Sequence, residues 1–176
     1  TSQQISAREI DGIDIPDTVK LQGNSETMVL NGAGMRKKFF MDIYVGTLYL
    51  PEKSPDELAI ISDTGPAVVD MHIVYSEIGK EKITDGWYDG LQANIGREEL
   101  ESLGPRLEQF NKLFKSVRKG DVIRIGYSPD TGTEVRINGE WRGVVEGNDF
   151  FRALLKVWLG SRPISKSLKK EMLGQD

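Results

Sequence analysis

Groups capable of nucleophilic, acid–base or metal chemistry are scarce in this sequence of 176 residues. It has no cysteine, which excludes disulfides, thiolate catalysis and cysteine-ligated metals. Its single histidine, His72, excludes a His-rich metal site. Lying in an apolar run, His72 reads as a sheet or surface residue rather than a base. Asp130 and Asp149 read as turn and helix-cap residues, and no two acids are spaced for glycosidase-type chemistry. Gly32-Ala33-Gly34 raises a phosphate-binding loop, but Lys37 stands where a dinucleotide fingerprint needs its third glycine and no helix pattern follows. These glycines predict a bulge or tight bend in a strand instead. No metal or cofactor is expected.

The elements that would position any site are legible from pattern. Ile10, Ile13 and Ile15, broken by Asp11-Gly12 and Pro16, give short extended pieces around a turn. Thr18–Leu21 and Thr27–Leu30 flank the polar Gln22-Gly23-Asn24-Ser25, a hairpin connection. Phe39–Leu50, rich in Phe, Ile, Val, Tyr and Thr, is the strongest strand. A short helix is expected over Pro55–Ile61, capped by Ser54 with Pro55 at its first position. Ala67–Tyr75 is another strand, with Val69, Met71, Ile73 and Tyr75 alternating against Val68, Asp70, His72 and Val74.

Ile83, Trp87, Leu91 and Ile95 recur every four residues, one face of a helix. Leu100, Leu103, Leu107, Phe110, Phe114 and Val117 step by three or four, interrupted by Gly104-Pro105, where a kink or two abutting helices are expected. Glu98, Glu99 and Glu101 open this run, where carboxylates favour the helix dipole. Strands return at Asp121–Tyr127, Glu134–Ile137 and Glu140–Val145, the last two joined by the type I′ pair Asn138-Gly139. Helices follow over Asp149–Leu159, ended by Gly160, and about Ser165–Leu173. This order describes an α+β domain, not a doubly wound one. A single domain spans 1–176, with residues 1–9 expected to be loosely ordered.

Apolar residues make up 38 % and charged residues 28 %, the balance of an ordinary soluble protein. The net charge of −4 gives nucleic-acid binding no support. The basic stretch Ser165–Lys170 reads as the solvated face of the last helix. No apolar stretch approaches the roughly 20 residues that span a bilayer.

Gly32-Ala33-Gly34-Met35-Arg36, followed by Ile43-Tyr44-Val45-Gly46-Thr47-Leu48-Tyr49-Leu50, resembles the signature of the chalcone isomerase superfamily, most closely its bacterial chalcone-isomerase-like branch. Phe150–Gly160 and Pro163-Ile164-Ser165 resemble its C-terminal helix and turn, and Trp87–Asn94 falls where the family has a helix lining its cleft. The resemblance covers the chain from about Ile10 onward. It implies an open-faced β-sandwich, a large antiparallel sheet with helices packed on one side. Plant members cyclise chalcones, while non-catalytic members bind fatty acids, holding the carboxylate with an arginine and a tyrosine.

Arg36 matches the arginine common to both groups, and its planar fork suits an enolate or a carboxylate. Tyr44 falls where the enzymes carry threonine and the fatty-acid binders tyrosine. Val157 occupies the place of a second cleft threonine, and Ile83 and Gly90 fall near an enzyme tyrosine and asparagine. Val, Ile and Gly cannot order water or orient a phenolate. The resemblance therefore implies a non-catalytic protein binding a fatty acid or similar apolar carboxylate, anchored by Arg36 and Tyr44. Trp87, Trp141 and Trp158 have core-like spacings, and Trp87, Val157 and Trp158 are candidates to line the cleft. The alternatives are an isomerase or intramolecular lyase on an enone, with Arg36 as electrophile and Tyr44 as proton donor, and a ligand-free interaction domain. Arg36 could also pair with an acid across the sheet. Bacterial relatives of this kind look exported, so a periplasmic or secreted location is expected, with the cytoplasm as alternative.

A geometric condition follows. On a straight strand Arg36 and Tyr44 would lie about 26 Å apart, at roughly 3.3 Å per residue, too far to hold one headgroup. A turn or strong bend is therefore expected near Lys37 to Phe40.

Overall fold

The computed structural model describes residues 7–22 and 26–175. Its frame is a seven-stranded antiparallel sheet. In chain order the strands are β3 (Thr18–Lys20), β4 (Thr27–Lys38), β5 (Met41–Leu50), β6 (Ala67–Ile73), β9 (Val122–Ser128), β10 (Gly132–Ile137) and β11 (Glu140–Val145). Two small antiparallel pairs accompany it: the hairpin β1 (Ala7–Ile10) with β2 (Ile13–Pro16), and β7 (Glu77–Ile78) with β8 (Val117–Arg118). Among the described residues there are five helices: α1 (Glu57–Ser62), α2 (Lys80–Asn94), α3 (Arg97–Asn111), α4 (Asn148–Leu159) and α5 (Lys166–Met172).

The period-two alternation of β6 divides the protein into two cores. Val69, Met71 and Ile73 face the helices, where they join Leu48, Trp87, Phe110, Phe150 and Trp158. Val68 faces the other way, with Val45, Tyr49, Met28 and Ile15. There the β1–β2 hairpin covers the sheet, and the Tyr49 hydroxyl donates to the Pro16 carbonyl at 2.7 Å. Asp70 and Arg124, opposite each other on this second face, form a two-pronged ion pair at 2.8 Å. His72 lies on the same face as Asp70, away from the helices, with its Nε2 unpaired among the described residues. Burial pushes its pKa down, so the neutral form is favoured and the sheet reading of His72 holds.

Helix α4 is the pivot of the main core. Nine of its residues, from Phe150 to Leu159 with the exception of Lys156, are buried, as expected of a helix packed on all sides. Even Arg152 is enclosed, donating to the carbonyls of Ile60 and Gly65 while its guanidinium lies over the Tyr127 and Phe151 rings. That arginine ties α4 to the end of α1.

Several local expectations shift. Residues 7–9 are not loose, because they pair in register with 14–16; the first six residues lie outside the described ones, as do 23–25 of the β3–β4 connection. The cap of α1 is Asp56, whose carboxylate accepts from the Leu58 and Ala59 amides, rather than Ser54. Gly104-Pro105 does not end α3, which runs through it; the break falls earlier, at Ile95-Gly96. Phe114 and Val117 lie beyond the helix yet stay buried. Asp149 is no cap but binds Arg106 through both oxygens, at 2.7 and 2.8 Å. Trp141 is 55 % exposed rather than core. The Asn138-Gly139 turn is as expected, with φ of 52° and 79°.

Candidate functional site

The expected bend lies between β4 and β5. Lys38 and Met41 end the two strands, Phe39 and Phe40 make the turn, and Arg36 becomes the direct cross-strand neighbour of Tyr44. Such neighbours have Cα atoms roughly 5 Å apart, a fifth of the straight-strand separation. A bulge on β5 between these pairs leaves Ile43 without a partner in the β4–β5 register. Its carbonyl instead accepts from the Val74 and Tyr75 amides. The Arg36 guanidinium lies 5.7 Å from the Tyr44 ring centroid, within cation–π range.

The glycines before Arg36 serve the same place. Asn31 bulges out of β4, and its side chain holds the Ser54 backbone and the Met172 carbonyl at 2.8–2.9 Å. A Cβ on Gly32 would stand 1.9 Å from the Glu171 carbonyl oxygen, and one on Gly34 equally close to the Glu171 side chain. Helix α5 therefore lies directly on β4 beside Arg36. The expected bulge is present, and close approach of the helix is its second reason.

Beside this pair opens a cleft of about 900 Å³, in the size range of small-molecule sites. Its buried floor is apolar: Ile43, Met71, Ile73, Ile83, Trp87 and Ile123, with Tyr44 among them. Exposed charged residues, including Lys38, Glu77, Lys82, Asp85, Asp89 and Arg162, line it further out. Helix α2 supplies one wall and the Arg162–Ile164 turn after α4 another.

The floor presents buried hydrogen-bond donors that find no acceptor among the described residues. Arg36 makes no ion pair among the described residues, and its Nε is buried without a partner, so the alternative of a cross-sheet acid is not realised. The Trp87 indole N–H is likewise buried and unpaired. The Trp158 indole donates to the Tyr44 hydroxyl at 2.9 Å. Indole can only donate, so Tyr44 accepts in that bond. Its own hydrogen has no acceptor among the described residues.

Burial raises the pKa of Tyr44, with Arg36 and the Trp158 bond opposing the rise. The phenol is therefore kept protonated, a donor and a poor base. The sign for stability follows: the folded pKa exceeds the ordinary 10.0, so this contribution is complete below that pH and is lost as pH rises through the folded value. Melting temperature should thus fall more steeply above pH 10 in the wild type than in Tyr44→Phe. Equal slopes would contradict the burial of this phenol.

Of the expected cleft residues, Arg36, Tyr44 and Trp87 line it. Val157 and Trp158 do not; both are buried one layer behind. Trp158 reaches the site through Tyr44, and its ring packs edge-on against Trp87 at 5.6 Å. Val157 fills the space beside Gly90, where an added Cβ would stand 2.7 Å from Val157 Cγ2. Positions 90 and 157 are thus packing partners, and a side chain at 90 would have to displace Val157. Ile83 and Gly90 do line the cleft. Met71 and Ile73 were not expected as lining, although the alternation of β6 had put them on one face, which proves to be the helix-facing one.

A family model described as chalcone isomerase-like matches residues 7–174. The chain belongs to that family. No curated protein matches it significantly. Among solved structures it is similar to the Arabidopsis thaliana fatty-acid binding protein AtFAP1, with a TM-score of 0.69 over 92 % of each chain and 16 % identity. At that identity the likeness establishes the fold, which for this chalcone isomerase-like chain is α+β with a large antiparallel sheet and helices. No helix among the described residues is long and apolar enough to cross a membrane.

Proposed function

We propose that this chalcone isomerase-like protein binds a fatty acid or similar apolar carboxylate without transforming it. The observation that carries the reading is the set of donors on an apolar floor. Among the described residues Arg36 Nε and Trp87 Nε1 are buried and unpaired, and the Tyr44 hydroxyl has a hydrogen to give. Unpaired buried donors are costly unless a ligand acceptor meets them. A carboxylate supplies two acceptor oxygens and a negative charge for Arg36. The remaining floor suits a hydrocarbon chain, where each buried methylene contributes about 0.8 kcal/mol and ten about 8 kcal/mol before ordering costs. The similarity to a fatty-acid binding protein supports the same reading.

Isomerase chemistry is disfavoured on the same geometry. Arg36 and Tyr44 could polarise an enone oxygen, but Ile83, Gly90 and Val157 offer no side-chain group to orient a phenolate or water. Native mass spectrometry tests the proposal. Protein stripped of lipid and incubated with palmitate should gain one palmitate per chain, saturably. Failure to form this adduct would overturn it.

A further inference from the structure

The turn that brings Arg36 to Tyr44 is built from residues that the turn itself does not need. Phe39 adopts φ 57°, a left-handed conformation uncommon for a bulky side chain and favoured by Gly, Asn or Asp. The other two-residue hairpin of the same sheet uses Asn138-Gly139 at such angles. Here two phenylalanines stand instead, and neither is buried: Phe39 is 85 % exposed and Phe40 fully so. Met41 beside them is 43 % exposed. Aromatic side chains held at a strained tip in water need a reason outside the fold.

Charge indicates what meets them. Residues 36–42 hold three cations, Arg36, Lys37 and Lys38, against one acid, Asp42, in a chain whose net charge is −4. Lys37 and Asp42 approach to 3.7 Å with both side chains solvated, so that pair screens only part of the positive charge. The acids lining the cleft, Glu77, Asp85 and Asp89, come from β7 and α2 rather than from the hairpin. Apolar tips flanked by lysines suit the boundary between acyl chains and anionic headgroups. The tip is also continuous with the cleft, since Lys38, Phe39 and Met41 line it.

We infer that the β4–β5 hairpin is a membrane-docking finger, inserting Phe39 and Phe40 into an anionic bilayer surface so that the cleft opens against the acyl chains. The delivery role rests on the fatty-acid reading; the docking itself does not. A narrow convex turn with two projecting rings fits a fluid bilayer better than a rigid protein groove.

Co-sedimentation with phosphatidylcholine vesicles, with and without phosphatidylserine, tests this. The wild type should sediment with the phosphatidylserine vesicles, and added salt should release it. Phe40→Ser should weaken partitioning about tenfold or more, and Lys37→Glu roughly fivefold or more. Neither residue lines the cleft, so both variants should keep wild-type affinity for palmitate in solution and wild-type melting temperatures. Docking with no palmitate binding would uphold the finger and sink the fatty-acid reading. The inference is overturned if the wild type ignores anionic vesicles, or if both variants sediment as it does. Phe40-dependent self-association without vesicle binding would also overturn it.

Discussion

Replacing Arg36 with Met is expected to weaken binding of a long-chain acid about 10- to 100-fold, with the melting temperature unchanged or raised. A hydrogen bond to a charged group contributes roughly 1.5–3 kcal/mol, and every 1.4 kcal/mol is tenfold in affinity. The stability half of the expectation comes from the unliganded site. Among the described residues Arg36 has no ion pair, its Nε is buried without a partner, and its guanidinium lies over the Tyr44 ring face. A buried, unpaired donor opposes folding, and a thioether of similar reach removes that cost while keeping apolar contact. A structural arginine would behave oppositely: its loss would lower the melting temperature and leave affinity nearly alone. Isothermal titration calorimetry with palmitate, paired with thermal melts of both proteins, separates the two outcomes.

The second large effect is on stability. Trp158→Ala should cost about 3–5 kcal/mol, the usual range for emptying a buried tryptophan site. For a domain of this size that is a fall of roughly 6–20 °C in melting temperature. Trp158 is almost wholly enclosed. Its ring packs against Trp87, which is itself held by Phe110 and Phe114, so that neighbour cannot collapse easily into the emptied site. Trp158→Phe refines the expectation. It keeps most of the packing but removes the indole donor that fixes the Tyr44 hydroxyl. That variant should lose about 1 kcal/mol of stability and should weaken palmitate binding beyond what its stability loss implies. Differential scanning calorimetry of both variants, with palmitate titrations of the second, checks this. Equal losses for Ala and Phe would show that the hydrogen bond, not the packing, carries the residue.

Much of this architecture could be read from the chain because the signals were local. The four-residue recurrence of Ile83, Trp87 and Leu91 fixed the buried face of α2, and the alternation of β6 separated its two cores. Asn138-Gly139 announced its hairpin through the angles that only such residues adopt readily. The family resemblance named Arg36 and Tyr44, and reach then required a bend between them, since on a straight strand they could not share a headgroup. Where reading failed, the cause was long-range. Ser54 and Asp56 are both good caps, and the choice between them depends on where Asn31, 23 residues away, anchors the Ser54 backbone. Pro105 looked like a break, yet packing of Leu103, Leu107 and Phe110 into the core carries α3 through it. Trp141 looked like core by its spacing, but its strand lies at the sheet edge. For the site, the family resemblance named the residues but not their depth. Val157 and Trp158 lie on the buried helix α4, and only the packed structure shows that both stand behind the cleft wall.

The account turns on recognition of a carboxylate by donors at the base of an apolar cleft. The measurement that tests this most directly is the affinity of the wild-type protein for palmitate and for its methyl ester, determined side by side at neutral pH. The chain is the same in both ligands and only the headgroup charge differs. The account predicts that the acid binds about 10- to 100-fold more tightly. Equal affinity, or preference for the ester, would contradict it.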